Sequence, residues 1–165
     1  KNVAFHQRMT FETTYATYQK KYSLPSYQHL NQEFEFLAIV QLQQIDFPLR
    51  FMRRRMADRI AGVCNFFQTI LQPNPGSYIL MKESSFFTGD EKQQAQQLLH
   101  EMMVYLSRST LLDSRIDEKA DAAYIQELYT FFMRIKPGYR KFLEKLEQGW
   151  QKKPEQKQVQ NHYFG

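Results

Sequence analysis

The sequence predicts an all-α protein, a single-domain bundle of five or six amphipathic helices. Apolar residues recur every three or four positions along most of the chain, which is the spacing of one helix face. The chain has only 6 Gly and 6 Pro in 165 residues, too few for the many turns of a β-sandwich or barrel. Amphipathic helices must bury their apolar faces against one another, so a bundle follows.

The chain up to residue 45 predicts two helices. Aromatic residues at spacings of three and four lie on one face of the first helix, which ends before Pro25. The second helix begins near Ser26 and extends towards Ile45, although the alternation of Glu and Phe at 33–36 is also typical of a strand. The length of the segment and its flanking glutamines favour the helix.

The third predicted helix begins near Pro48 and carries the clearest apolar stripe in the chain. Proline suits the first helical position, where its missing N–H would have no partner within the helix. As an alternative, the preceding helix continues through Pro48 with a kink. Segment 72–77, with two prolines and a glycine, ends the third helix. The buried positions step by threes and fours: Leu49, Met52, Met56, Ile60, Val63, Phe67 and Ile70.

Residues after 77 predict two or three further helices. Segment 78–87 fits a short strand, an irregular stretch or one or two helical turns. Segment 88–91 is a capping-box pattern, in which a Thr and a Glu side chain each accept a hydrogen bond from the other residue's backbone N–H. A helix follows it, and another begins near Asp113 or Asp117. We expect segment 136–138, Lys-Pro-Gly, to interrupt that helix before a short last one.

The charge of the chain is unevenly distributed around a formal net value of +5. Residues 50–59 and the chain from 136 onwards are basic, whereas residues 82–127 are acidic. This arrangement predicts either complementary charges within the fold or separate surfaces for different partners. We expect residues 1–150 to form the bundle and residues 151–165 to form a polar, basic and flexible tail.

No common catalytic or cofactor-binding motif is present in the sequence. It lacks a nucleophile elbow, a phosphate loop and a dinucleotide fingerprint, and no histidine follows a glutamate by three residues. Asp113, Asp117 and Asp121 are spaced so that one helix face could hold three carboxylates and a hard cation. Acidic residues that complement the helix dipole explain them as well. We therefore expect no cofactor and favour a non-enzymatic protein.

Five arginines in the third helix are the most informative local feature. They lie near the N-terminus of a helix that starts at Pro48, where the helix dipole disfavours cations, so they favour a compensating anion unless the preceding helix continues through Pro48. External candidates are phosphate, nucleic acid or anionic lipid, with Lys20 and Lys21 as additional contacts. Internal candidates are Asp113, Asp117, Glu118 and Asp121. The arginines are Arg50, Arg53, Arg54, Arg55 and Arg59.

A group of tyrosines near the N-terminus is the second local feature. Tyrosine tolerates a half-buried position and is enriched at protein interfaces. The group therefore fits either the core or a surface that binds a partner. Its members are Tyr15, Tyr18, Tyr22 and Tyr27.

The leading functional hypothesis is a non-enzymatic helical protein–protein interaction module, acting as a subunit, adaptor or regulatory domain. Its partner would be another protein or a second copy of the chain. One alternative is anion or nucleic-acid binding through residues 50–59, and another is a small-molecule or metal site within the bundle. Cys64 is the only cysteine, which fits the cytoplasm or another intracellular compartment. The longest apolar run, residues 36–40, is too short to span a membrane, while peripheral membrane contact stays open.

Overall fold

The computed structural model describes residues 11–36 and 45–152, which form six helices and contain no strand. The prediction of an all-α bundle is confirmed. In chain order the helices are α1 (Phe11–Tyr22), α2 (Tyr27–Phe34), α3 (Pro48–Leu71), α4 (Tyr78–Ser85), α5 (Gly89–Asp113) and α6 (Glu118–Gln151).

Helix α3 is the centre of the bundle and packs against both α5 and α6. Arg53, near the start of α3, contacts Ser109 near the end of α5 and Asp121 near the start of α6. Further along α3, the ring of Phe67 lies 5.0 Å from that of Phe142 in α6. Helix α5 therefore runs antiparallel to α3, and α6 runs parallel to it. All seven residues of the predicted α3 stripe are buried.

Two shorter helices pack against this three-helix centre. Helix α2 packs on the middle part of α6 through Phe34, whose ring centroid lies 5.1 Å from that of Phe132. At the end of α3, Ser84 of α4 donates a hydrogen bond to the Ile70 carbonyl at 2.6 Å. Because Ser84 is buried, this bond satisfies a hydroxyl that would otherwise be costly to remove from water.

Local sequence signals set most helix starts where we predict them. Ser26 caps α2 by accepting from the His29 N–H, and Thr88 forms the full capping box with Glu91 at the start of α5. Helix α3 begins at Pro48, so the preceding helix does not continue through it. Helix α6 begins after Asp117, whose side chain accepts from the Ala120 N–H.

Two predicted helix boundaries are wrong, and one ambiguous segment is resolved. Helix α2 ends at Phe34 because Glu35 adopts a left-handed conformation with φ 54°. The rest of the predicted second helix, residues 37–44, lies outside the described residues, as do residues 1–10 and 153–165. Segment 78–87 contains helix α4, and the predicted break at Pro137 does not occur.

Helix α6 continues through Pro137 because tertiary packing holds both halves to the same core. Ile135 and Phe142 are buried on either side of the proline, whose own ring is on the exposed face. Lys136 also bonds to Glu33 of α2 at 2.7 Å. Proline removes one helical hydrogen bond and costs about 3 kcal/mol in a helix interior, but packing of this kind routinely exceeds such a propensity.

Candidate interaction surfaces

The arginines at the start of α3 meet the end of α5, and the most central of them is fully buried. Arg53 has no exposed surface, and its guanidinium uses all three nitrogens. Its Nε donates to Asp121 at 2.6 Å, its Nη1 to the Ser109 carbonyl at 2.8 Å, and its Nη2 to Asp113. Arg53 is therefore occupied by the protein's own acceptors.

Arg50 and Arg54 complete this network. We call Arg50, Arg53 and Arg54, together with the groups that they bond to, the arginine cluster. Arg50 donates to the carbonyls of Asp113 at 2.7 Å and Arg115 at 3.2 Å, and Arg54 donates to the Asp113 carboxylate at 2.9 Å. The last carbonyls of a helix lack partners within it and carry the negative end of its dipole. The end of α5 thus supplies the anion that the start of α3 requires.

The pKa values of Asp113 and Asp121, the two carboxylates of the arginine cluster, shift in opposite directions. Desolvation raises the pKa of Asp113, but the hydrogen bonds from Arg53 and Arg54 outweigh it and hold this pKa below its ordinary value. Asp121 is more deeply buried, and desolvation raises its pKa although the bond from Arg53 opposes the shift. The cluster is therefore costly to bury and depends on every partner being present.

The remaining predicted basic residues are exposed or half-buried. Arg55 reaches Asp58 at 3.3 Å on its own helix, and Arg59 and Lys20 are exposed. Lys21 donates to Glu118 at the start of α6 at 2.8 Å. This bond is the largest cause that lowers the pKa of Glu118. The predicted contact of these residues with an external anion stays a prediction.

The four tyrosines divide between the core and its edge. Tyr15 and Tyr27 are buried, and the Tyr15 hydroxyl donates to the Pro25 carbonyl at 2.6 Å. Tyr18 and Tyr22 are half-buried, and the Tyr22 hydroxyl donates to Glu118 at 2.6 Å. Tyr15 and Tyr27 therefore offer no surface to a partner in this fold, and a partner surface at Tyr18 and Tyr22 stays a prediction.

The three candidate metal-binding aspartates do not share one helix face, which corrects that expectation. Asp113 is the last residue of α5, Asp117 caps α6, and Asp121 faces Arg53. Among residues 11–36 and 45–152, no group of three or more His, Cys, Asp or Glu could hold a metal ion. A cavity of about 260 Å³ lies nearby and is lined in part by Tyr18 and Asp121.

Cys64 is buried in α3, and desolvation raises its thiol pKa to about 11. At neutral pH the thiol is protonated and enclosed, so it is a poor nucleophile. Cys64 is therefore a small core residue on the apolar side of its helix.

The outward side of α5 forms a surface that was not predicted from the sequence. We call it the neutral strip. Every exposed residue between positions 93 and 111 is uncharged, and three large apolar side chains are among them: Met103, Val104 and Leu111. Val104 is 59% exposed and Leu111 69% exposed. The polar members are Gln93, Gln94, Gln96, Gln97, His100, Ser107 and Thr110.

The neutral strip borders an open groove between α5 and α6. The groove contains two adjoining depressions of about 310 and 470 Å³, with Tyr105 and Phe131 at the base of both. Their ring centroids are 4.6 Å apart. We call this surface the α5–α6 groove, and it is lined by Glu101, Val104, Tyr105, Arg108, Ala123, Gln126, Glu127, Thr130, Phe131 and Arg134.

Two ion pairs cross the α5–α6 groove, one on each side of the aromatic base. Arg108 of α5 bonds to Glu127 of α6, and Arg134 of α6 bonds to Glu101 of α5. The bond to Glu127 raises the pKa of Arg108. The two charges on each helix are seven residues apart, or about 10 Å along the helix axis. These are the only charged residues of α5 between positions 93 and 112, and both bond towards α6.

The sequence contains a signal for this surface, but the signal can be recognised only when the fold is known. Each of two neighbouring helices has an Arg and a Glu separated by seven residues, in the order Glu–Arg on both. Only the antiparallel pairing of α5 and α6 across a short connection brings Glu101 opposite Arg134 and Arg108 opposite Glu127. The four-charge arrangement cannot be seen in the sequence of either helix alone.

Comparison with known proteins gives no family model that matches the chain, and no curated protein or solved structure that is significantly similar to it. In the part of the chain that the structure describes, no helix combines the length and apolar character required to cross a lipid bilayer.

Proposed function

We propose that this protein is a non-enzymatic helical interaction module that binds another protein surface through the α5–α6 groove and the neutral strip. The observation that carries the proposal is the absence of charge on the exposed side of α5, next to an open groove with an aromatic base. Interface centres are depleted in charged residues and enriched in aromatic residues, Met and Arg.

The contrast with α6 makes this absence of charge informative. Half of the exposed residues of α6 are Lys, Arg, Asp or Glu, whereas none of the ten exposed residues between positions 93 and 111 is. Removing a charged side chain from water costs far more than removing an amide or a hydroxyl that finds a hydrogen-bond partner. A partner can therefore cover the neutral strip at a lower desolvation cost than the exposed side of α6.

The shape of the groove supports a helical or ridge-like partner. A partner helix placed between α5 and α6 would lay apolar side chains against exposed Val104 and half-buried Tyr105, the mode in which amphipathic helices bind grooves. The ion pairs at the two ends of the aromatic base would then become part of a polar rim.

Site-directed cross-linking tests the proposal, because buried Cys64 leaves an introduced cysteine as the reactive thiol. Thr130→Cys places a photoreactive maleimide label in the groove, and Asn65→Cys places it on the exposed side of α3. We expect irradiation in cell extract to give cross-linked species from the Thr130 position and not from the Asn65 position. Equal cross-linking from both positions, or none from either, would contradict the proposal.

A second candidate function is anion binding by the exposed arginines of α3. Arg54 is 52% exposed and Arg55 is 37% exposed although each bonds to a carboxylate, and Arg59 is exposed, so the three side chains remain accessible over two adjacent turns of α3. Association with RNA or DNA should then weaken steeply with salt, through counterion release. A triple Arg→Ala variant should lose that association. A salt-insensitive titration, or one unchanged in the variant, excludes this function.

A further inference from the structure

The charges at the α5–α6 groove alternate in sign in both directions. Along α5 the order is Glu101 then Arg108, and beside them on α6 stand Arg134 and Glu127 respectively. The four charges thus occupy the corners of a rectangle about 10 Å long, with equal charges on each diagonal. The aromatic base and Val104 lie between its two ends.

Such a pattern is complementary to itself under two-fold symmetry. If the two-fold axis runs along the helices, α5 of one copy faces α6 of the other, and Arg108 meets Glu127 of the second copy. If the axis runs across the helices, α5 faces α5 in the opposite direction, and Arg108 meets Glu101 of the second copy. In both cases each of the four charges meets its opposite, as an isologous interface requires.

We propose that the occupant of the α5–α6 groove is a second copy of this chain, which forms a two-fold symmetric dimer. This inference rests on the proposed function, since it assigns the partner for the same surface. A partner with a uniformly acidic or basic helix would meet two like charges among the four. A second copy meets none.

The neutral strip is self-compatible for a related chemical reason. Its glutamine, serine and threonine side chains each carry both donors and acceptors, so two copies of the strip can hydrogen-bond to each other. Met103, Val104 and Leu111 add apolar surface that loses contact with water on pairing. A surface that carried only carboxylates or only amines could not hydrogen-bond to a second copy of itself in this way.

The size of the surface sets the expected strength of the dimer. The strip between positions 93 and 111 is about 27 Å long, and two adjacent helices are about 20 Å wide. If the surface is treated as flat, this footprint is on the order of 500 Å², below the roughly 800 Å² per partner of a standard interface. The dimer is therefore expected to dissociate on dilution.

Concentration-dependent mass measurement tests the dimer directly. Sedimentation velocity of the whole chain from about 1 µM to about 1 mM should show a shift from monomer to dimer mass, within the range of weak to moderate affinities. Val104→Glu adds an unpaired negative charge from each copy to the middle of the interface and should leave the protein monomeric. Asn65→Glu, an equal change on α3, should dimerise as the wild type does.

Val104 is exposed, so its substitution leaves the fold intact, which the thermal unfolding midpoint of the variant verifies. A wild-type protein that stays monomeric over the whole range overturns the proposal. An equal effect of the Val104 and Asn65 substitutions also overturns it.

A four-charge reversal provides a test that loss of folding cannot imitate. The variant E101R/R108E/E127R/R134E keeps both ion pairs within the chain and restores the alternating pattern with opposite signs. It should form dimers with itself but not with the wild type, because every facing pair in the mixed dimer would be of like charge. Free exchange of subunits between labelled variant and wild type overturns the proposal.

The same cross-linking experiment distinguishes failure of this inference from failure of the proposed function. A cross-link from the Thr130 position to a different protein, with a purified chain that stays monomeric, overturns self-association and supports the interaction module. An absence of any cross-link from the Thr130 position, both in extract and with the purified chain at about 1 mM, overturns both.

Discussion

The centre of the arginine cluster and the α5–α6 groove are built from the same residue types but hold them in opposite environments. At the centre of the arginine cluster, the side chain of Arg53 is 0% exposed and that of Asp121 is 5% exposed, whereas Arg54 and Asp113 at its edge are 52% and 39% exposed. At the groove, the four charged side chains are between 33% and 60% exposed. Both sites contain Arg–carboxylate bonds, so the bonds themselves do not distinguish them; burial does.

This difference assigns the two sites different roles. A buried charge must have its partner within the chain, so the arginine cluster fixes the position of α3 against α5 and α6. An exposed ion pair contributes little to stability and can still meet a second protein, where it selects partners by complementarity. The group of charges that is most conspicuous in the sequence is thus largely committed to the fold.

Removal of Arg53 should have the largest effect on stability. Arg53→Met keeps the aliphatic volume but leaves Asp121 buried without its cation and deprives Ser109 of a donor. We expect the free energy of unfolding to fall by about 3–5 kcal/mol, the cost of breaking a buried pair from one side. Chemical denaturation monitored by circular dichroism measures it.

The matched control is Arg59→Met, an exposed arginine on the same helix. A surface substitution of this kind should change the free energy of unfolding by no more than about 0.5 kcal/mol. Similar losses for the two variants would show that burial does not separate the two classes of arginine.

The fold was largely predictable from local sequence patterns, for identifiable reasons. The α3 stripe repeats at the helical spacing, and the capping residues Ser26 and Thr88 bond within one turn, so spacing alone carries the information. The predicted break at Pro137 was wrong because contacts made by Ile135 and Phe142 with distant residues exceed a local preference. Spacing alone also failed to show that a helix end separates Asp113 from Asp117.

The candidate site was less predictable, because its information is spread over two helices. The arginines and acidic residues were identified, and their internal pairing was one of the alternatives that the sequence left open. The α5–α6 groove was not predicted, since its charge pattern exists only once α5 and α6 lie side by side. Uncharged exposed positions also give no signal until the exposed face of α5 is known.

Acidification should weaken the arginine cluster through Asp113. Since the folded-state pKa of Asp113 lies below its ordinary value of about 3.9, its carboxylate stabilises the fold above that pH. This stabilisation is lost as the pH falls through the folded-state pKa. We expect the free energy of unfolding to decline below about pH 4 in the wild type, and Asp113→Asn to decline less steeply.

Asp58→Asn is the control for this prediction, because the Asp58 side chain is 67% exposed and pairs only with Arg55 among the contacts described. It should retain the wild-type dependence on pH. Identical slopes for wild type and Asp113→Asn would contradict the assignment of acid sensitivity to the arginine cluster.

The smallest effect on stability is expected at the α5–α6 groove, from the pair between Arg108 and Glu127. A double-mutant cycle with Arg108→Ala and Glu127→Ala should give a coupling free energy of about 0.2–1 kcal/mol, the range for exposed ion pairs. The measurement is chemical denaturation at concentrations where the protein is monomeric, so that self-association does not contribute. Repeating the cycle on the dimer dissociation constant should give a larger coupling, because there each charge also meets the second copy. A coupling above about 3 kcal/mol in the monomer would place this pair with Arg53 and Asp121, and would remove the distinction between a charge that holds the fold and one that is available to a partner.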